Sequence, residues 1–487
     1  MNTLKGDGSV SEKEYRVESD SLGEKRVPLH AYYGAQTERA RENFPITDLR
    51  LSPQVIRALG VVKKSAAQAN RDAKLLDEDK AAVIIQASEE VATGKWDEEF
   101  IVDPIQGGAG TSTNMNANEV IANRALELLG KSKGNYEVIS PMSDVNMSQS
   151  TNDVIPTVNR LAILHMLEPL KREMELLYDS FKRKGVQFHD ILKVGRTHLQ
   201  DAIPMRLGQT FESYREIIRR DIERIEQAMN NFYEVNMGGT AIGTGLNANL
   251  EYIEKVVYYL RENSSLPFIT ASHLIDATQH TDAYTQLSAM INIAMTNMSK
   301  IANDIRLMAS GPKAGFAEII LPAKQPGSSI MPGKVNPVMP EVVNQVAFRV
   351  SGNNHTVHLS SEAGQFELNV MEPVLTHHLM DSIQVTTRVL KVFRERCIDE
   401  IEANESQLKK NLDETLGIVT AINPHIGYEK ASIVAKEAYE TNRSVKDVCV
   451  EKGFLTEEQI DKILEPKGMT SPGISAQELI QDNRRKR

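Results

Sequence analysis

The middle of the chain carries long series of apolar residues at the spacing of an α-helix. Residues 281–310 contain neither Gly nor Pro, and their apolar positions recur every three or four residues, which puts them on one helix face. A helix of that length spans about 45 Å. A second series runs from residue 207 to residue 232, and residues 161–182 and 375–402 also have helical patterns. The two apolar stripes consist of Leu287, Ile291, Ala294, Met298, Ile301, Ile305 and Met308, and of Leu207, Phe211, Tyr214, Ile218, Ile222, Ile225, Met229 and Phe232.

These long helices predict a mainly α fold built around a helix bundle. After residue 406 the pattern changes to short helices that are predicted to break at Asn423–Pro424 and at Pro466. A chain of 487 residues is also too long for one compact core. We therefore expect a flexible extension at residues 1–14, an N-terminal mixed but mostly helical domain at 15–150, a central bundle domain at 151–406 and a small C-terminal helical domain at 407–487.

The formal net charge of −10 argues against a nucleic-acid-binding protein, because such proteins usually present a basic face. An anionic ligand would need hydrogen-bond donors or cations close to it, since the overall field of the protein repels anions. The two cysteines, Cys397 and Cys449, suit a reducing cytoplasm, and their spacing suggests no metal site. The polar N-terminal segment predicts no signal peptide, and no apolar run approaches the roughly 20 residues of a membrane span.

A first polar cluster follows a group of glycines within residues 106–118. Gly107, Gly108 and Gly110 allow the backbone to turn and to approach a ligand closely. Thr111 stands at the predicted start of a helix, where free N–H groups favour anions. A glycine turn with a polar helix cap explains the same residues without any ligand. The spacing does not fit the GxGxxG motif of dinucleotide-binding sites.

A second cluster is split between two segments of the chain. Ser150, Thr151 and Asn152 suit either a helix cap or a group of donors to an oxyanion. Thr197 and His198 lie in the other segment, Gly195–Asp201. His198 suits either a catalytic or carboxylate-binding imidazole or a structural, hydrogen-bonded histidine. Taken alone, both segments favour the structural explanation.

The third cluster is a polar loop at residues 327–337, for which Gly327 and Gly333 are plausible hinges. Its sequence lacks the GxxxxGK[ST] pattern of a phosphate-binding loop. An ordinary exposed loop would also be rich in Gly, Pro, Ser and Asn. The apolar residues Ile330, Met331 and Val335 argue against that explanation. The polar residues with possible chemistry in this loop are Ser328, Ser329, Lys334 and Asn336.

Together, these clusters resemble the signature regions of the aspartase/fumarase superfamily. The loop sequence GSSIMPGKVNP is similar to the superfamily's hallmark. The segments GAGTSTNMNANEVIANRA, QSTNDVIPT, GRTHLQDAIP, LNVMEPV and INPHIGYEKAS resemble its ammonia-releasing branch, and the resemblance extends from about Tyr15 to about Ile474. Class II fumarases typically have Gln where this chain has Ser112 and Ser where it has Thr151. These differences favour elimination of ammonia over elimination of water.

The resemblance implies reversible deamination of L-aspartate to fumarate and ammonia, by anti-elimination through an enediolate intermediate. It implies Ser328 as the general base, with Ser329 as the alternative, and it leaves open whether His198 donates a proton or only binds substrate. No cofactor and no metal ion are expected. The implied substrate-binding residues are Thr111, Ser150, Thr151 and Ser329 for the enediolate, Lys334 and Asn336 for the α-carboxylate, and Thr197 and Asn152 near the α-carboxylate and the departing ammonium.

The resemblance also implies a homotetramer, in which the central domains form a joint helical core and each active site draws on three subunits. Three other functions remain possible from the sequence. They are a class II fumarate hydratase, an argininosuccinate- or adenylosuccinate-type lyase, and an inactive helical scaffold. The presence of Ser328, Lys334, Asn336, His198 and Thr111 argues against the scaffold, because an inactive relative need not retain them.

Overall fold

The computed structural model describes residues 14–327 and 329–480, and it has the mainly α fold that the sequence predicts. In chain order the helices are α1 (Ala35–Asn43), α2 (Pro53–Asp72), α3 (Glu78–Ala92), α4 (Thr111–Leu128), α5 (Thr151–Gln187), α6 (Leu207–Met229), α7 (Leu250–Ser264), α8 (Leu274–Gln279), α9 (Asp282–Met308), α10 (Val338–Glu362), α11 (Glu372–Arg396), α12 (Glu405–Glu414), α13 (Val419–Ile426), α14 (Tyr428–Thr441), α15 (Val445–Glu451), α16 (Glu457–Ile463) and α17 (Pro466–Met469). The five longest helices of the described residues are α5, α6, α9, α10 and α11. Four of them cover the predicted segments, and α10 was not predicted.

The strands of the described residues are short and occur in pairs. Three pairs are antiparallel and one, β5 with β6, is parallel. None of the helices that the structure describes is long and apolar enough to cross a membrane. The pairs are β1 (Tyr15–Asp20) with β2 (Gly23–Pro28), β3 (Leu192–Thr197) with β4 (Gln200–Arg206), β5 (Glu234–Val235) with β6 (Ile269–Thr270), and β7 (Ile319–Ile320) with β8 (Glu402–Ala403).

The predicted apolar stripes face the interior. All seven stripe residues in α9 are buried, which confirms that helix and its orientation. In the second stripe Ile222 is only half-buried, and Phe232 lies in a short 3-10 turn beyond the end of α6. The helix predicted over residues 161–182 is confirmed as part of the longer α5. The one predicted over 375–402 ends earlier, at Arg396, and a 3-10 turn at Ile398–Glu400 leads from it to β8.

The short helices after residue 406 are confirmed, with one error in their boundaries. Pro466 begins α17, as the predicted break requires. Pro424 instead lies inside α13. That helix ends just before Gly427, because the φ of 85° at Gly427 is incompatible with a right-handed helix. These helices share a small apolar core of their own, which includes Ile422, Val434, Val448, Cys449, Ile460 and Ile463.

The described residues pack as two compact units, each made of separate chain segments. The first unit lies within Met1–Lys171, Glu223–Ile293 and Phe348–Thr387, and the second within Arg172–Ile222, Ala294–Ala347 and Arg388–Arg487. In the second unit, aromatic rings of α5 and α6 pack edge to face, with 5.8 Å between the ring centres of Phe181 and Tyr214. The division into three consecutive domains remains a prediction, and residues 1–13 of the predicted extension lie outside the described residues.

Candidate active site

The first predicted cluster lies at the start of α4, in the first unit. Gly108 and Gly110 both have a φ of 88°, the left-handed conformation that glycine adopts without strain. Helix α4 begins at Thr111, whose hydroxyl donates to the Gly108 carbonyl at 2.7 Å. A Cβ atom at Gly110 would come within 3.0 Å of Ile155 on α5. The glycines therefore allow the start of α4 to approach α5 closely.

Ser150, Thr151 and Asn152 form the start of α5 in the same unit. Ser150 Oγ accepts the Asn152 N–H at 3.2 Å, and Asp153 Oδ1 accepts the Ser150 N–H at 2.9 Å, so the helix-cap explanation is correct for Ser150. The Thr151 hydroxyl accepts a hydrogen bond from Asn114 of α4 at 3.2 Å. The four predicted residues of the first unit therefore lie at two adjacent helix starts, where free N–H groups attract an anion.

A loop between β5 and α7 holds the start of α5 in place. Asn152 Nδ2 donates to the Ala241 carbonyl at 2.7 Å, and Asp153 Oδ2 accepts the N–H groups of Gly238 and Thr240 at 3.0 Å each. Burial raises the pKa of Asp153 to about 6, although these backbone hydrogen bonds oppose the shift. The carboxyl group thus ties the cap of α5 to a second backbone segment.

A buried lysine behind these helix starts was not found by sequence reasoning. Lys63 on α2 donates to Asn146 Oδ1 and to Gln149 Oε1, both at 2.9 Å. The same Asn146 oxygen accepts from Asn114 and Asn118 at 3.2 Å each. Burial lowers the pKa of Lys63 to about 7, and the charge of the nearby Asp153 offsets only part of this effect. The network thus links α2 with the residues that precede α5 and with the first turns of α4.

Thr197 and His198 lie at the tip of the β3–β4 hairpin, in the second unit. The turn consists of His198 and Leu199, since Thr197 pairs with Gln200. Both turn residues have positive φ, 55° and 60°, as in a type I′ turn, which normally prefers Asn and Gly. The hairpin thus presents the imidazole on a backbone that is unfavourable for histidine and leucine. Such strain is common at functional sites.

The glycine-bounded loop, also in the second unit, closes on itself at its base. Asn336 Nδ2 donates to the Gly327 carbonyl at 2.7 Å. A Cβ atom at Gly327 would lie 1.7 Å from the Lys334 carbonyl oxygen, so any larger residue would push the two sides of the loop apart. Gly333 has a φ of 83° and open space around it. The two glycines therefore differ, because Gly327 is required by packing and Gly333 by backbone conformation.

The loop presents polar and apolar side chains together. Ser329 and Lys334 are exposed and Asn336 is half-buried, whereas Ser328 lies outside the described residues. Ile330 is 83% exposed and Val335 is 50% exposed. The loop thus carries an apolar surface beside the groups that were predicted to bind substrate.

A cavity of about 640 Å³ in the first unit borders α4 and α5 but is not lined by Thr111, Ser150, Thr151 or Asn152. Its walls include Gly110, Thr113, Ile155, Asn159 and His377. The cavity therefore lies apart from the predicted donors at the two helix starts. Among the residues that the structure describes, no group of three or more His, Cys, Asp or Glu side chains could hold a metal ion.

Two family profiles match the chain. One, described as "Lyase", matches residues 23–352, and another, described as "Fumarase C C-terminus", matches residues 418–471. The matched regions contain every residue of the predicted site. The first covers the α4 and α5 starts, the hairpin tip and the glycine-bounded loop.

Individual proteins are similar over nearly their whole length. An aspartate ammonia-lyase from Bacillus sp is 58% identical over 95% of this chain and 99% of its own. The fold resembles a fumarate lyase:delta crystallin from Brucella melitensis bound to cobalt, with a TM-score of 0.92, 45% identity, and coverage of 94% of this chain and 100% of that one. It also resembles a class II fumarase from Schistosoma mansoni, with a TM-score of 0.90, 33% identity and coverage of 94% and 99%.

Proposed function

The chain belongs to the lyase family of the aspartase/fumarase superfamily, and from this premise we propose that it is an aspartate ammonia-lyase, which converts L-aspartate reversibly to fumarate and ammonia. One observation carries the proposal. The Bacillus relative that is named for this activity covers almost the whole chain and shares far more of its residues than the class II fumarase of the same fold. The residues at two positions that distinguish ammonia-lyases from class II fumarases, Ser112 and Thr151, also favour the ammonia-lyase.

The proposed reaction begins with removal of a proton from Cβ of aspartate. The carbanion forms next to a carboxylate, so its charge must spread onto the two carboxylate oxygens as an enediolate. Preorganised donors stabilise such an intermediate because they are already aimed at the developing charge. Thr111, Ser150 and Thr151 at the two helix starts, with Ser329 on the loop, would supply these donors. The electron pair then forms the Cα–Cβ double bond, and the Cα–N bond breaks to release ammonia.

We assign the proton-abstracting role to Ser328. A serine hydroxyl is a poor base in water, so it needs a dry, electropositive setting when the loop covers the substrate. Lys334 and Asn336 would bind the α-carboxylate from the same loop. Thr197, His198 and Asn152 would lie near the α-carboxylate and the leaving ammonium, with His198 either donating a proton or only binding.

Cysteine variants separate the two candidate bases. We expect Ser328→Ala to lower kcat by about 10²–10⁴-fold, the usual contribution of a general base. Ser328→Cys restores an ionisable group at that position and should recover part of the activity at alkaline pH. The same pair of variants is made at position 329. If Ser329→Cys is more active than Ser329→Ala at alkaline pH, and Ser328→Cys is no more active than Ser328→Ala, then Ser329 is the base.

We also propose a homotetramer with each site built from three subunits. Helix α10 supports this, because one of its faces carries exposed residues at helical spacing along several turns. Phe348 is 69% exposed and Leu359 is 53% exposed, and Gly352 between them has open space where a Cβ would be. A face with large apolar residues around a glycine suits close packing against a helix of another copy. A cytoplasmic location fits the two free, buried cysteines.

An absorbance assay tests the activity. Fumarate formation is followed in the ultraviolet with L-aspartate as substrate and with L-malate in parallel, on the same preparation of the full chain. Turnover of aspartate alone supports the ammonia-lyase. Turnover of malate alone would make the protein a fumarase, with the same fold and loop but with Ser112 and Thr151 misinterpreted.

A further inference from the structure

A carboxylate that no water reaches lies beside the β3–β4 hairpin in the second unit. Glu318 is fully buried. Its Oε1 accepts a hydrogen bond from the Arg196 guanidinium at 2.5 Å, and its Oε2 lies 3.2 Å from Lys193 Nζ, an ion pair without hydrogen-bond geometry. One buried carboxylate therefore holds two cations of a single strand.

The hairpin is irregular beside these two cations, because β4 carries a bulge opposite Gly195 of β3. Side chains three residues apart in a regular strand point to opposite faces of a sheet. Lys193 and Arg196 nevertheless reach one carboxylate where the register shifts. Val194 pairs with Pro204 and Arg196 with Asp201, so β4 has one residue more than β3 between these two pairs. Gly195 faces this bulge and has no room for a side chain, since a Cβ there would lie 2.8 Å from the Ile203 carbonyl oxygen.

Further contacts fix the guanidinium and the hairpin. The ring of Phe316 lies 4.4 Å from the Arg196 guanidinium, which is therefore held between an aromatic face and the Glu318 carboxylate. On the other strand, Asp201 accepts a hydrogen bond from the Thr415 hydroxyl at 3.0 Å. Arg196 directly precedes Thr197 and His198, so these contacts set the direction of the hairpin tip.

The backbone of Glu318 anchors the start of the segment that leads to the glycine-bounded loop. Its N–H donates to the Met308 carbonyl at the end of α9 at 2.8 Å, and its carbonyl accepts the Asn404 N–H at 3.0 Å. The next two residues form β7, which pairs with β8, and the segment that leads to Ser329, Lys334 and Asn336 follows directly. The side chain of Glu318 therefore contacts the hairpin, and its main chain fixes the start of the segment that leads to the loop.

We propose that Glu318 is a positioning residue that keeps the hairpin tip with Thr197 and His198 at a fixed geometry relative to the start of the segment that leads to the glycine-bounded loop. A buried ion cluster contributes little net stability compared with apolar packing, but it specifies orientation, because the guanidinium has one favourable direction toward the carboxylate. Loss of the carboxylate would leave two cations without their shared partner, and the hairpin would shift. The inference rests on the proposed function, since it acts through His198.

Glu318→Gln in the full chain tests this role, because the side chain keeps its size and loses its charge. We expect kcat for L-aspartate to fall by about tenfold or more at a temperature where the enzyme stays folded. Glu173→Gln is the matched control. It removes a partly buried ion pair with Arg394 in the same unit, and it should lower the melting temperature without changing kcat. If Glu318→Gln fails to fold, Arg196→Lys, which keeps the charge but loses the fork, should lower kcat in the same direction.

A double-mutant cycle decides whether the effect passes through His198. In a His198→Ala background, Glu318→Gln should lower kcat by less than twofold, because the group it positions is gone. Equal losses in both backgrounds, or an unchanged kcat in Glu318→Gln, would overturn the proposal and leave Glu318 a structural residue. Failure of the wild-type chain to turn over L-aspartate would contradict the proposed function instead, which keeps the two conclusions separate.

Discussion

Glu372, the first residue of α11, is a buried carboxyl group with few polar neighbours. Asn159 donates to it at 3.2 Å, and Arg160 lies close enough to influence its charge without forming an ion pair in the described structure. Burial raises the pKa of Glu372 from 4.5 to about 7, and Arg160 and Asn159 oppose this shift. The group therefore resists ionisation in the folded protein more than in the unfolded chain.

This shift predicts that Glu372→Gln stabilises the protein above neutral pH. A carboxyl group with a raised pKa in the folded state favours folding below its unfolded pKa, and that contribution is lost as the pH rises through about 7. The variant does not ionise, so its free energy of unfolding should exceed that of the wild type by about 1–3 kcal/mol at pH 8. The difference should vanish near pH 4.5. Denaturant unfolding at both pH values measures it.

Glu119 provides the opposite case and is the matched control. Burial also raises the pKa of Glu119 to about 7, yet its oxygens accept hydrogen bonds from the N–H groups of Gly34, Gln36 and Thr37 at 2.8–3.1 Å, and from the Thr37 hydroxyl. Glu119→Gln would turn an NH₂ group toward these donors and should destabilise the protein at both pH values. If Glu372→Gln destabilises at pH 8 to the same degree, Glu372 is charged and paired in the native protein.

At the residue scale, the sequence could identify polar residues at helix starts but not the groups behind them. Ser150 and Thr151 follow the familiar pattern of a helix cap, so their place could be predicted. Lys63 has no such pattern. It is followed by a second lysine in α2, and only the fold shows that Asn146 and Gln149, far along the chain, accept hydrogen bonds from it. A buried polar network depends on contacts between distant segments, which spacing along one segment cannot reveal.

At the scale of elements, the β3–β4 turn carries a measurable strain. Leu199 has a φ of 60° although its side chain is 63% exposed, so little burial compensates for the unfavourable backbone. A residue other than glycine in this conformation costs roughly 1–2 kcal/mol. We therefore expect Leu199→Gly to raise the free energy of unfolding, by up to about 1 kcal/mol after the greater freedom of glycine in the unfolded chain is subtracted.

Thermal and denaturant unfolding of two variants test this strain. Gln200→Gly, one residue further along, is the comparison, because Gln200 lies in strand β4, where glycine should destabilise by about 0.5–1 kcal/mol. Leu199→Gly could instead be less stable than the wild type. The contacts of the leucine side chain in the assembled protein would then stabilise the fold by more than the strained backbone of the turn destabilises it.

The helices could be predicted because their signal is periodic over many residues, as the stripe in α9 shows. Their ends were less accurate. Pro424 lies inside α13, and α11 ends before the 3-10 turn that leads to β8, whose partner β7 is a distant segment of the chain. The β3–β4 hairpin could not be predicted from its turn, because His and Leu occupy positions where Asn and Gly are the recognisable residues.

At the scale of the whole molecule, the proposed site residues fall into groups that belong to different units of the protomer. Thr111 and Ser150–Asn152 belong to the first unit, and Thr197, His198 and the glycine-bounded loop belong to the second. The sequence predicts each group, but apolar stripes alone cannot tell a bundle within one chain from a bundle shared between chains. The shared site is therefore best tested by function in mixed assemblies.

Mixing two inactive variants should restore activity if each site draws these groups from different subunits. Thr111→Val alters the first group and Ser328→Ala the glycine-bounded loop, so each variant alone should be nearly inactive. In tetramers assembled at random from equal amounts, a site is intact when its first group comes from a Ser328→Ala subunit and its loop from a Thr111→Val subunit. Both conditions hold for about a quarter of the sites, so co-expression should recover about 25% of wild-type activity.

Thr111→Val mixed with Thr151→Val is the control. Both changes lie in the same group, so every site keeps one defect, and no activity should return. Absence of recovery in the first mixture, with tetramers confirmed by light scattering, would mean that one subunit supplies both groups.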